Sequence, residues 1–396
     1  MALIRSTLFR FCMAALVLWG TAVQSQEVLK VPSRILGEER TLLVSTPPGY
    51  AASPERFPVL YLTDGDAHIA HTRTTVDFLA RNGLIPNLIL VGIANTDRTR
   101  DLTPTRASFR RQDGSEQPIP TSGGAPRFLE FFEKEVFPLI EGNYRTHPYR
   151  IFAGHSLGGL LALHILAVRP ELFQGFIAAS PSLNWDQDYP LRKLEDSLRG
   201  RKEFQRTLFV SMANEEDRDP KPNRFDRLQR VLNSRQPSKF SWEARHMPGE
   251  DHGSVVLATH YWGLRKIFDG WRPGGLDGPL TGGLTALKSH FAKLSERLGF
   301  AVTPQENAVN LAGYQALQLG QVEEALAIFR YNLELYPSAP NVHDSLAEGL
   351  EKAGRRQEAI GHYRRAAELA VQSGDPRAGL YAQNRDRLAT AVDKQP

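Results

Sequence analysis

The sequence predicts a doubly wound, mostly parallel α/β sheet followed by a small all-α domain. Three observations lead there. Short apolar runs bounded by Gly, Asp or Asn alternate with helical stretches between residues 57 and 268, the strand–helix–strand order of a parallel sheet. The interval 269–283 is crowded with Gly and Pro and has no periodicity. Past it the composition shifts to Ala, Leu, Glu, Gln and Arg, and the chain repeats with a period of 34 residues. A chain of 396 residues exceeds the size at which single cores stop growing, about 250–300 residues, so two folded units are expected.

Taken in order, residues 28–44 are rich in Val, Ile and Leu and end at Pro47-Pro48-Gly49, which predicts early strands and a turn. Strands are predicted at 57–62 and 88–93, with a helix at 74–81 between them. An amphipathic helix at 127–140 follows, then a buried strand at 151–153 and a helix at 157–169. Later strands are predicted at 176–180, 208–212 and 240–244, and a late helix at 260–268. We place the α/β domain at 26–272, a linker at 273–283 and the helical domain at 284–396.

In the last segment the 34-residue register aligns Gly313 with Ala347, Gly320 with Gly354, Ala325 with Ala359 and Phe329 with Tyr363, and Pro337 closes the first unit. Small residues where helices cross and an aromatic at the packing position resemble the tetratricopeptide repeat. Helical hairpins of this kind cannot cover their own apolar faces, so helices at 285–298 and 376–388 are expected to flank them. Such a domain either packs on its neighbour or a second copy, or receives a protein partner.

At the N-terminus, Arg5 and Arg10 precede an apolar stretch from Phe11 to Trp19, and Val23 and Ser25 have small-residue spacing. The pattern predicts a signal peptide over residues 1–25 and a periplasmic or secreted mature chain. The apolar stretch falls short of the roughly 20 residues of a spanning helix. Cleavage would remove the one cysteine, Cys12, and with it any disulfide, thiolate metal site or cysteine nucleophile. It would also lower the formal charge from +4 to +2 by loss of Arg5 and Arg10, and no basic block suggests nucleic acid.

The chemistry-bearing motif is Gly154-His155-Ser156-Leu157-Gly158-Gly159, between a buried strand and an apolar helix. Glycines let a tight strand-to-helix turn close, and the turn lifts the Ser156 hydroxyl above the sheet edge. A serine hydroxyl needs an imidazole to take its proton, and in this topology the histidine comes last. His252, in a polar Gly-bearing loop, fits best; His246 and His260 compete. A carboxylate must brace the imidazole, and Ala213-Asn-Glu-Glu-Asp offers three at a strand end. Glu216 is preferred, with Glu215 and Asp217 as alternatives and Asp186 one strand too early. The backbone amides of Leu157 and Asp66 are expected to form the oxyanion hole, Gly65 allowing the turn in Thr63-Asp-Gly-Asp.

Five segments together resemble a known family: Leu60-Tyr-Leu-Thr-Asp-Gly-Asp-Ala-His, Arg98-Thr-Arg-Asp-Leu-Thr-Pro, Gly154-His-Ser-Leu-Gly-Gly, Ala179-Ser-Pro-Ser-Leu-Asn-Trp and Gly249-Glu-Asp-His-Gly-Ser. They are similar to the α/β-hydrolase esterases that include siderophore (enterochelin-type) esterases, S-formylglutathione hydrolase and the mycolyltransferases. The resemblance implies a cofactor-free serine esterase with Ser156, Glu216 and His252 as triad. It departs at Ala213, where such enzymes carry Gly before the acid. The resemblance also places Arg98 and Arg100 on a substrate-side loop suited to an anionic ligand. Acyl transfer through the same triad, or a degenerate scaffold recruiting partners through the helical repeats, are the competing readings. No His-Glu-x-x-His, paired cysteines or phosphate-cradling loop with Lys-Ser or Lys-Thr is present, so no metal or nucleotide cofactor is expected.

Overall fold

The computed structural model describes residues 26–52, 54–110, 113–215, 224–274 and 282–393. Ten strands are present among them: β1 (Gln26–Ser33), β2 (Glu38–Ser45), β3 (Phe57–Leu62), β4 (Ile89–Ile93), β5 (Ser108–Arg110), β6 (Glu116–Pro118), β7 (Thr146–His155), β8 (Gly175–Ala179), β9 (Glu203–Ala213) and β10 (Ser238–Met247). Eight form one sheet in the order β1-β2-β4-β3-β7-β8-β9-β10, while β5 and β6 pair as a separate ribbon. Six neighbours from β4 to β10 run parallel, and β2 joins β4 antiparallel, with β1 beyond it. The mostly parallel α/β sheet expected from the sequence is thus present.

Alternation along the strands builds a core on each face. Val59, Tyr61, Phe152, Phe176, Leu208 and Val210 face one core. It is covered by α3 (Ala125–Phe131), α4 (Phe137–Asn143), α5 (Leu157–Val168), α6 (Trp185–Leu198) and α7 (Arg224–Ser234), with the short α2 (Arg98–Leu102) at its margin. Leu60, Leu62, Ile151, Ala153 and Ile177 face the other, covered by α1 (Gly65–Arg81) and α8 (Val255–Ile267). Helix α1 starts nine residues before the expected 74–81 helix. Gly65 opens it because its backbone lies against Gly92 of β4, too close for a Cβ.

Six further helices complete the described chain: α9 (Gly283–Leu298), α10 (Glu306–Gln318), α11 (Val322–Leu335), α12 (Pro340–Lys352), α13 (Arg356–Ser373) and α14 (Ala378–Asp393). Gly313 lets α10 approach the Phe329 ring of α11, which a Cβ would strike. Phe329 and its 34-residue counterpart Tyr363 are both buried. This region meets the sheet domain at the amino ends of the strands. The His147 ring packs 4.0 Å from Phe300, and Gln205 Nε2 donates to the carbonyls of Glu296 and Arg297. Arg297 Nη1 donates to the Ile267 carbonyl, and one apolar core continues across the junction. No helix among the described residues is long and apolar enough to cross a membrane. The signal-peptide segment lies outside the described residues, as does most of the expected linker, 275–281.

Candidate active site

Strand β7 ends at His155 and α5 begins at Leu157, so Ser156 alone makes the turn, with φ 59° and ψ −112°. A side-chain-bearing residue held there is strained, a conformation that persists when surrounding contacts over-determine it. Those contacts are visible. The Ser156 amide donates to the Ala179 carbonyl at 2.9 Å, and its own carbonyl accepts from Leu160 at 2.9 Å and Ser182 at 3.2 Å. A Cβ on Gly154 would collide with the Gly158 backbone, and one on Gly158 with the Thr63 hydroxyl. Both motif glycines are therefore required by close approach.

His252 follows β10 in a loop organised by Asp251, whose Oδ1 accepts from the amides of Gly253 and Ser254, both at 2.8 Å. Ser254 Oγ in turn donates to Glu250 at 2.6 Å. The His252 Nδ1 atom lies 2.7 Å from Glu215 Oε1, both side chains being partly buried. Glu215 stands two residues beyond β9, and the neighbouring Asn214 amide donates to the Glu250 carbonyl at 2.9 Å, joining the two loops. A carboxylate on Nδ1 fixes the tautomer and leaves Nε2 for proton transfer. The partner of His252 is thus Glu215, which the sequence kept as an alternative. The preferred Glu216 and the other alternative Asp217 lie outside the described residues.

Ser156 Oγ is 3.5 Å from Ser182 Oγ and makes no hydrogen bond to His252 in this conformation. The residue preceding Ser156 lies against the base: the His155 and His252 ring centroids are 4.6 Å apart. Catalytic hydrogen bonds are often loose before substrate binds. The competitors are placed elsewhere. His246 is exposed on β10, and His260 is buried on α8, its Nδ1 2.9 Å from Thr72 Oγ1. Asp186 sits in a left-handed backbone segment at the start of α6.

Leu157 and Asp66 lie in the first turns of α5 and α1 respectively. Amides there have no intrahelical acceptor and favour negative charge. Asp64, the left-handed N-cap of α1, packs its carboxylate beside Gly158, and so brings the two helix starts together.

Arg98 and Arg100, expected on a substrate-side loop, lie in an ion-pair lattice and remain partly exposed. Arg98 Nε donates to Asp64 Oδ1 at 2.6 Å, and its Nη2 donates to the His155 carbonyl at 3.0 Å. Asn95 also donates to Asp64, at 2.6 Å. Arg100 donates through Nε to Asp101 and through both Nη atoms to Glu38. Its guanidinium holds the Glu38 carboxyl down at about 2. Arg40, almost fully buried, pairs with Asp101 and Glu38 in the same lattice. Arg98 thus braces the end of β7 through the His155 carbonyl, while Arg40 and Arg100 share Glu38 and Asp101.

The sequence reading did not single out Asp64, Ser182 or the histidine array behind the turn. His155 faces His68 at 5.8 Å between ring centroids, His68 Nδ1 is 3.1 Å from His71 Nε2, and His71 stacks on His260. Burial lowers all four below the usual imidazole range, His155 to about 4. Three of the array, His68, His71 and His260, fall on matching faces of α1 and α8, a pairing visible only once the fold is known. Among the described residues no group of His, Cys, Asp and Glu is arranged to hold a metal ion.

The profile of the family described as "Putative esterase" matches residues 33–271. Among curated relatives, the ferri-bacillibactin esterase BesA of Bacillus subtilis is 35% identical over 194 residues, 44% of this chain and 64% of the relative. The chain thus spans slightly under two thirds of that protein. The siderophore triacetylfusarinine C esterase of Aspergillus fumigatus is 27% identical over 249 residues, 54% of this chain and 82% of the relative. Among solved structures, an IroE-like serine hydrolase from Shewanella oneidensis superposes with a TM-score of 0.67 at 30% identity, covering 78% of this chain and 100% of the other.

Proposed function

Since this chain belongs to the "Putative esterase" family, we propose that it is an exported carboxylic-ester hydrolase working through Ser156, His252 and Glu215. The observation that carries this reading is the strained Ser156 at the carboxyl edge of the sheet, beside an imidazole already braced by a carboxylate at 2.7 Å.

In the proposed reaction Ser156 Oγ attacks the ester carbonyl carbon while His252 Nε2 takes the hydroxyl proton. The amides of Leu157 and Asp66 receive the oxyanion, and Glu215 stabilises the imidazolium. Collapse breaks the carbon–oxygen bond, and the departing alcohol takes the proton from His252. Water then attacks the acyl-enzyme with the same base, releasing the acid and restoring Ser156. The names of the two curated relatives favour siderophore esters as substrates. Export rests on Arg5, Arg10 and the apolar stretch that follows them, and the 34-residue register supports tetratricopeptide-like units in the helical region.

The test is purified Ser156→Ala on p-nitrophenyl esters and on a ferric siderophore triester. A loss of about four to six orders of magnitude in kcat is expected. Turnover equal to the parent's, or an unmodified Ser156 after fluorophosphonate treatment, would remove the hydrolase reading.

A further inference from the structure

Within the reaction just proposed His155 has no chemical task, yet its ring is what the base rests on. It is wedged between His252, 4.6 Å away between centroids, and His68 of α1 at 5.8 Å. Its backbone is fixed independently of its side chain, by the end of β7 and by Arg98 on its carbonyl. Its Nε2 is buried and has no hydrogen-bond partner among the described residues. A buried polar atom left unsatisfied costs stability and calls for a reason. The side chain is nevertheless a ring set against the base, and the ring contact is the feature that carries a role.

We propose, on the basis of the Ser156–His252–Glu215 reading, that His155 is a positioning residue: its neutral ring backs His252, holding the base in line with Ser156 and allowing it to carry the positive charge of the transition state. The groups facing His155 are consistent with neutrality. His252 approaches from the loop after β10 and His68 from α1, with His71 and, on α8, His260 behind it. Asp64, whose charge acts on His155, is taken by Arg98 and Asn95. Glu215 is taken by His252. Every imidazole behind His155 is itself shifted toward the neutral form by burial. Two adjacent imidazolium ions would repel in a half-buried site, so a charge on His155 opposes the charge His252 must acquire.

The experiment is the pH profile of kcat and kcat/KM on p-nitrophenyl butyrate for the parent, Ser156→Ala, His155→Phe, His155→Ala and His155→Lys, with thermal melts to establish folding. His155→Ala should lower kcat about tenfold or more with KM within about twofold, because the base loses its backing. His155→Phe, a neutral ring, should restore most of kcat and keep the acid limb in place. His155→Lys should move the acid limb down by about one pH unit, because a fixed cation disfavours the imidazolium of His252. Parental kcat in His155→Ala, or an unmoved acid limb in folded His155→Lys, overturns the inference. If the lysine variant does not fold, the other two decide: rescue by Phe supports it, and equal losses in Ala and Phe overturn it. A parent that is inactive, or matched by Ser156→Ala, overturns the hydrolase reading along with it; an active parent with indifferent His155 variants overturns the positioning role alone.

Discussion

The two ends of the sheet differ in kind. At the carboxyl ends Ser156 is held in a strained conformation, polar atoms of Thr63 and His155 are buried without partners, and carboxylate and imidazole are partly buried. At the amino ends the junction with the helical region is aromatic and hydrogen-bonded: His147 and Tyr149 pack on Phe300, while Gln205 and Arg297 bind backbone carbonyls. Strand β7 runs from Thr146 at one end to His155 at the other. At about 3.3 Å per residue that is roughly 30 Å. The nucleophile turn is strained where bonds are to be made, and the second unit docks by packing at the other end; buried atoms without partners occur at both, Thr63 and His155 at one, Arg145 and His147 at the other. The helical region therefore does not cover Ser156.

The sharpest way to break this contrast is at the acid. Glu215→Gln keeps the shape of the side chain but loses the charge on His252 Nδ1, and kcat should fall by about three to four orders of magnitude. Glu216→Gln, measured beside it on the same ester, should stay near the parent. The reverse outcome would return the role to the residue that sequence order favoured.

That choice shows what the sequence could and could not specify. Phe57–Leu62 as a buried strand, and Ser156 between a strand and the apolar helix Leu157–Val168, were legible because burial and turn chemistry are local. His252 was chosen from its order along the chain, and the fold sets it 2.7 Å from Glu215. Glu215, Glu216 and Asp217 are all polar and consecutive, so no local property separates them; among the described residues it is Glu215 that meets the histidine, beside the Asn214 amide docked on Glu250. Arg98 and Arg100 were placed on a substrate-side loop by resemblance, and their partners Asp64 and Glu38, far away in the chain, became visible only with the fold. A charge looks free in sequence until the fold supplies its counter-ion. The start of α1 was missed for a similar reason: Gly65 opposes helix formation locally but is required by contact with Gly92.

A second contrast is acid sensitivity. His164 of α5, 5% exposed and 3.1 Å from Tyr189 Oη, is pushed by burial down to about 4. An unfolded histidine titrates near 6.5, so between the two values the unfolded chain binds the extra proton. The resulting stability is complete above about 6.5 and is lost as pH falls toward 4, up to about 3 kcal/mol for this one group. The thermal midpoint should drop between pH 7 and pH 4.5, and His164→Gln should flatten that dependence without changing ester turnover at neutral pH. An unchanged slope would show that this imidazole is already solvated.

The smallest effect should come from the junction. The Phe300 ring centroid is 4.0 Å from that of His147 and 5.5 Å from that of Tyr149, but Phe300 is only half-buried and lines a cavity of about 670 Å³ between the two units. Truncation should cost less than for a fully enclosed phenylalanine, about 1–2 kcal/mol. Because the seam lies at the opposite strand ends from Ser156, kcat and KM on a short ester should not change. Phe300→Ala with a lowered thermal midpoint and parental kinetics would sharpen the separation of packing from chemistry. The same variant with kcat reduced beyond about threefold would break it, since a perturbation at the amino ends could reach Ser156 only by moving β7, the strand whose last residues fix His155 and the strained turn.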